Sequence, residues 1–327
     1  NENPLGPSPL ALAAIRDALG NVHRYPDSHA YYLKEDLARH LGLAPQQLVL
    51  GNGSDEVLDL LVRALVPPGG EVVSTTHTFL MYGLITQAVG GFFRPVPLKE
   101  MRVDLGAVAQ AVTPQTRLII LNNPNNPTGT AFGRREWEDF LQAIPTTVTV
   151  VLDEAYIDFA NDPEVPSCLD YLSEDRLLVG LRTFSKAYGL AGLRIGYGFG
   201  PSELMDYLNR LRMPFNVNRL AQVAARAALQ DTDFLAQTRE TVLAGKALIC
   251  RELSHLGLAY IPSQANFVLI RVPRPGQTVY QEMLREGVII RAMDSYGFPD
   301  YIRVNIGQPE ENRRFLAALK KVLGSDN

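Results

Sequence analysis

Residues 48–66 read LVLGNGSDEVLDLLVRALV. LVLGNG has the apolar run and closing turn of a short strand, and DEVLDLLVRALV is the amphipathic helix that follows it. The same unit recurs downstream. EVVSTT (71–76), FFRPVPL (92–98), TRLIILNN (116–123), TTVTVVLDEAY (146–156) and RLLVGLRTFS (176–185) are further β-rich runs, with helix-like stretches such as RREWEDFLQAI (134–144) between several of them. Such alternation predicts an α/β fold, a mostly parallel sheet with helices on both faces. Upstream, NENPLGPSP (1–9) is too rich in proline and asparagine for a regular element, and Ser8 caps a helix expected over 9–19.

The texture changes near Thr232. A long helical pattern over 233–257 leads into LAYI (258–261), NFVLIRV (266–272), VIIRAM (288–293) and YIRVNIG (301–307) as short strands, with helices at TVYQEMLREG (278–287) and EENRRFLAALKKVL (310–323). The expected organisation is an N-terminal arm (1–24), a large domain (25–231) and a smaller α+β domain (232–327). A chain of 327 residues has room for two such cores.

A formal net charge of −4 gives no global attraction to nucleic acid or to an anionic membrane, so any anion must be held by a local site. No apolar run approaches the roughly 18–20 residues that span a bilayer. Cys168 and Cys250 form neither a disulfide framework nor a metal motif, and the five histidines show no ligand spacing, so no metal is expected and the chain reads as cytoplasmic. It begins at Asn1 with no initiator methionine, which leaves room for residues ahead of it.

In an open parallel sheet, ligands bind beyond the carboxyl ends of the strands. The residues after the strand runs are Gly53, Ser54 and Asp55, then Phe79, then 122–129, 153–156 and 183–186, with Arg194 further on. GNGSDE (51–56) offers backbone N–H groups and a helix start to an anion, although Ser54 or Asp55 serves equally as a plain helix cap. Beside an anion, Asp55 is expected to turn its carboxylate toward backbone donors. NNPNNPTG (122–129) is an irregular loop in which Asn126 presents an amide; Asn-Pro is also ordinary turn chemistry. Asp153 ends a buried β-branched run, where a carboxylate needs a cationic partner, from a ligand or from a structural ion pair.

RTFSKAYGLAGLRIGYG (182–198) tips the balance. Lys186 stands there among small and apolar residues with Arg194 nearby, so desolvation and a neighbouring cation lower its pKa and leave a nucleophilic amine for an aldehyde. Pyridoxal 5'-phosphate would use every other part. Asp153 would keep its ring nitrogen protonated, Asn126 and Tyr156 would meet the phenolic oxygen, and Phe79 would stack on the ring. Ser54, Ser185, Arg194 and the N–H groups around Gly53 would take the phosphate, with Thr183 beside them.

NENPLG, HRYPD, GNGSDE, NNPNNPTG, DEAYIDF, RTFSKAYGLAGLRIGY, PFNVNRLAQ and YIRVNIG together resemble the pyridoxal-phosphate aminotransferases of the aspartate-aminotransferase fold, and within them the histidinol-phosphate aminotransferases. The resemblance runs in unbroken order over nearly the whole chain. It implies a large domain with a mostly parallel seven-stranded-type sheet between helices, and a smaller α+β C-terminal domain. The activity it implies is transamination of L-histidinol phosphate with 2-oxoglutarate, in histidine biosynthesis, with Lys186 forming the internal aldimine and moving the proton. By position, Ser54, Asp55, Ser185 and Arg194 match the phosphate-binding residues. Tyr25 matches a tyrosine that reaches the cofactor phosphate of the neighbouring subunit, which implies a homodimer. Arg303 matches the arginine that grips the acidic end of the substrate, and Arg291 a second arginine near the substrate phosphate.

Two positions depart from the family pattern. Phe79 stands where a tyrosine is frequent, so stacking is kept and the hydroxyl is lost. Asn3 stands where some relatives carry a substrate-facing tyrosine, which makes Asn3 the substrate-binding candidate there. The rivals are an aromatic or broad-specificity aminotransferase, a phosphothreonine decarboxylase of the same lineage, and a non-catalytic cofactor-binding protein, the last disfavoured by Lys186.

Overall fold

The computed structural model describes residues 1–173 and 176–324. One sheet holds β1 (Leu48–Gly51), β2 (Glu71–Thr75), β3 (Phe92–Val96), β4 (Thr116–Asn122), β5 (Thr149–Asp153), β6 (Leu178–Thr183) and β7 (Gly196–Phe199) in the order β1-β7-β6-β5-β4-β2-β3. β7 is antiparallel to both neighbours and the other pairs are parallel. The strands that run with β6 therefore end on one edge, and β7 begins on it. Register aligns that edge: Asn122 lies opposite Asp153, and Gly196 lies opposite both Thr183 and Gly51.

β4 shows why the strands read as continuous apolar runs. Leu118 and Ile120 enter the cluster formed with helix Ser54–Leu65, whereas Ile119 and Leu121 enter the opposite one, with Trp137 and Phe140 of helix Arg134–Ala143. Both faces are covered, so no polar face exists to alternate with. Each such side chain contributes about 1.5–3 kcal/mol on full burial. The arm is tied down by Ser8, whose Oγ accepts from Ala11 N as the cap of helix Pro9–Ala18 and donates to Asp231 Oδ2 at 2.5 Å.

Helix Thr232–His255 leads to a second, antiparallel sheet of β8 (Tyr260–Ile261), β9 (Phe267–Arg271), β10 (Arg291–Ala292) and β11 (Tyr301–Asn305), in the order β10-β11-β9-β8. Val242, Ile249 and Leu253 of the helix share a core with Phe267, Val268 and Ile270. The strand expected over 288–293 shrinks to Arg291–Ala292, because Gly287, at φ +72°, turns the chain out of helix Gly276–Arg285 and only these two residues meet β11. Among the described residues no helix is long and apolar enough to cross a membrane.

Candidate active site

The edge where these strands end borders a cavity of about 520 Å³. Gly53, Ser54, Asp55, Phe79, Asn126, Asp153, Tyr156, Thr183, Ser185, Lys186, Arg194, Arg291 and Arg303 all line it. Tyr25 and Asn3 do not. A wider groove of about 620 Å³ beside Asp104 and Glu136 holds none of the expected residues.

At the cup, Gly53 is the N-cap of helix Ser54–Leu65 with φ 82° and ψ 161°, a conformation essentially reserved for glycine. Neither Ser54 nor Asp55 caps; both lie in the first turn. A Cβ on Gly53 would lie 2.6 Å from Arg194 Nη2, and one on Gly196 would lie 2.3 Å from Ser54 N. Bare backbone thus opens the helix start beside a guanidinium. Arg194 itself adopts φ +55°, unfavourable for a residue with a side chain, and that turn aims it back at the cup. The expectation for Asp55 is corrected: its Oδ2 pairs with Arg194 Nη2 at 3.0 Å, a charged donor that outcompetes backbone N–H groups.

Asp153 lacks the expected cationic partner among the described residues. Its Oδ2 accepts from the Tyr82 hydroxyl at 2.6 Å and its Oδ1 from Ala155 N at 3.1 Å. Burial pushes its pKa up to about 6, against the two hydrogen bonds, which lower it. Lys186 Nζ lies 5.6 Å from the Tyr156 ring centroid. Burial lowers the lysine's pKa, and Arg303 is the main cation that adds to this; Arg194, the neighbour expected from the sequence, contributes less.

Toward the second sheet, Arg291 and Arg303 face each other across β10 and β11 and both reach the cavity. Arg303 Nη1 donates to Asn126 Oδ1, and its guanidinium sits 5.0 Å over Phe267. Arg291 lies 5.8 Å over Tyr296. Asn122 orients two neighbours at once: its Nδ2 donates to Asp153 O at 2.9 Å and its Oδ1 accepts from Asn126 N at 2.8 Å.

Asn3, the substrate-binding candidate, lies outside the cavity lining. Its Nδ2 donates to Ala187 O at 2.8 Å and Thr238 Oγ1 at 3.1 Å, and its Oδ1 accepts from Leu5 N at 2.9 Å, so its polar atoms anchor the arm. Asn1 and Glu2 line the cavity instead, with Asn1 Nδ2 donating to the Tyr156 hydroxyl at 2.9 Å. Sequence reasoning missed Tyr82 and Tyr296, since an aromatic residue on a helix or short turn reads as packing.

The donor set asks for an anion at the helix start, a flat ring over Phe79, a cation facing Asp153 and a carbonyl near Lys186. A phosphorylated pyridine aldehyde has all four. Residues 1–319 match the family model for aminotransferase class I and II. The chain belongs to that family. This aminotransferase is 50% identical over 323 residues to histidinol-phosphate aminotransferase 2 of Pseudomonas fluorescens, covering 99% of this chain and 87% of that protein. It is 45% identical to histidinol-phosphate aminotransferase of Moorella thermoacetica, covering 99% of this chain and 84% of that one. Histidinol-phosphate aminotransferase from Sinorhizobium meliloti, solved in complex with pyridoxal-5'-phosphate, superposes with a TM-score of 0.92 at 32% identity, covering 99% of this chain and 90% of that one. The seven-stranded fold expected from the resemblance is thus the one found, and the expected cofactor is the one in that complex.

Proposed function

We propose that this aminotransferase transfers the amino group of L-histidinol phosphate to 2-oxoglutarate with pyridoxal 5'-phosphate as cofactor. The observation that carries this reading is the pair of guanidiniums, Arg291 and Arg303, in register at one side of a cavity that also holds Lys186 and Asp153. A planar fork binds a phosphate or a carboxylate in two-point fashion, so one pair serves a phosphomonoester in one half-reaction and glutamate in the other. The names of the relatives at 45–50% identity support the same substrate.

When bound, the cofactor supplies an electron sink for the charge left as the substrate carbon loses its proton. The chain does the rest. Asp153 would face the ring nitrogen with negative charge, Phe79 would cover the ring, and Asn126 and Tyr156 would meet the phenolic oxygen. Ser54, Ser185, Thr183, Arg194 and the backbone at Gly53 would hold the phosphate, with Asp55 fixing Arg194. Burial enlarges the neutral fraction of Lys186, which would take the proton from the substrate carbon and return it to the former aldehyde carbon.

Comparing amino donors tests the substrate. Glutamate formation should show its highest kcat/KM with histidinol phosphate; faster turnover of phenylalanine, or carbon dioxide released from phosphothreonine, would transfer the assignment to a rival.

The same proposal includes a homodimer with Tyr25 lent across the interface. Tyr25 is 79% exposed and stacks on Phe215 at 4.7 Å, beside the exposed Val22 and Met213, and apolar surface of this kind marks a contact. Arg219 Nη2 fixes its carbonyl at 2.9 Å. Sedimentation at micromolar concentration should give a dimer; a monomer that retains full activity would remove Tyr25 from the site. The division at Thr232 is supported by the helix that starts there. Two free cysteines, Cys168 and Cys250, support a cytoplasmic location, which cell fractionation checks.

A further inference from the structure

Tyr82 stands on the first turn of helix Met81–Ala88 with no exposed surface. Its ring belongs to an apolar cluster with Val57, Leu61, Ile85, Val151 and Leu181, where phenylalanine would pack as well. A hydroxyl in such a place needs a partner. The partner is Asp153 Oδ2, at 2.6 Å, and the bond joins helix Met81–Ala88 to the end of β5. Phe79, immediately before that helix, packs edge-on against Tyr82 with centroids 5.7 Å apart. One short segment therefore carries both the aromatic plate of the cavity and the group that grips its carboxylate.

We propose that Tyr82 is a positioning residue for the cofactor: its buried hydroxyl fixes the rotation of the Asp153 carboxylate so that the acid faces the ring nitrogen in the cavity. The proposal rests on the cofactor reading above. Two hydrogen bonds, from Tyr82 and from Ala155 N, leave the carboxylate no free rotation. Tyr82 cannot release its proton, because burial and the charge of Asp153 push its pKa well above the usual range, so it donates at every working pH. Two nearby carboxylates work against its ionisation. Asp55, from helix Ser54–Leu65, and Glu154, next along the chain, both raise the pKa, whereas the Tyr82 bond lowers it. Glu154 turns away, accepting from Cys168 N at 2.6 Å and Arg182 Nε at 2.7 Å. Tyr156 and Lys186 line the same cavity. Among these side chains Tyr82 alone makes a hydrogen bond to the carboxylate.

The test uses Tyr82→Phe, with Thr86→Val as a packing control. Thr86 Oγ1 donates to Tyr82 O at 2.7 Å, so its loss disturbs the same turn and leaves the hydroxyl in place. In the protein without cofactor, the infrared band of the protonated Asp153 carboxyl, assigned by its disappearance in Asp153→Asn, gives the midpoint directly. Tyr82→Phe should move that midpoint upward from about 6 and weaken binding of pyridoxal 5'-phosphate, followed by spectroscopic titration, by roughly 10-fold, the size of a hydrogen bond to a charged group. Thr86→Val should change neither. A fluorinated tyrosine in place of Tyr82 keeps the shape and donates more strongly, so it should move the midpoint downward; it also decides the matter should the phenylalanine variant not fold. An unmoved midpoint with either replacement, or an equal shift in Thr86→Val, overturns the proposal. Native protein that binds no pyridoxal 5'-phosphate would instead overturn the cofactor reading and leave the midpoint result standing.

Discussion

Replacing Lys186 with alanine should lower transamination by roughly 10⁴-fold or more, because one substitution removes both the amine that engages the aldehyde and the base that moves the substrate proton. Single-turnover formation of glutamate from 2-oxoglutarate would measure it. The fold should survive. Lys186 has no carboxylate within ion-pair distance among the described residues, and burial already disfavours its charge. The thermal midpoint should therefore stay within a few degrees of native, and an added small primary amine should recover part of the rate if the missing function is proton transfer. Near-native turnover in this variant would show that the amine does not carry the chemistry. The lowered pKa also fixes the sign of the pH response. Acid restores the ammonium form and should reduce the rate, with that limb lying at lower pH than an ordinary lysine would give.

Much of this arrangement was legible because the sheet's connectivity converts sequence order into spatial adjacency. Gly53, Asn126 and Lys186 each follow a strand and Asp153 closes one, and those strands end on one edge. Arg194 reaches that edge for the opposite reason, since it precedes β7, which runs the other way. Individual partners were less legible. Asp55 pairs with Arg194, not with backbone donors, because the guanidinium's place depends on a left-handed turn at Arg194 that composition does not announce. Asn3 stands where the resemblance implies a substrate-facing residue, yet two long-range hydrogen bonds and one local one engage its side chain. Arg303 lowers the pKa of Lys186 more than Arg194 does, a ranking set by packing between two sheets far apart in sequence.

Asp153→Asn should lower kcat/KM roughly 10²–10³-fold or more, the usual scale for losing one preorganised electrostatic group, and the same change should alter stability with a distinctive sign. In the protein without cofactor, the native acid titrates near 6 instead of 3.8, mainly because burial disfavours its charge. The folded chain thus takes up a proton between about pH 6 and 4 that the unfolded chain does not. Its stability rises as pH falls through that window and carries the full burial penalty above it. Asparagine has no such term. The difference in thermal midpoint, variant minus native, should therefore become more positive as pH increases from about 4 to 7, while activity collapses throughout. Saturating pyridoxal 5'-phosphate should shrink that difference, because a cation facing Asp153 offsets the penalty in the native protein alone. A flat difference across the window would mean that the carboxylate is not held as the buried, cation-seeking acid on which the chemistry depends.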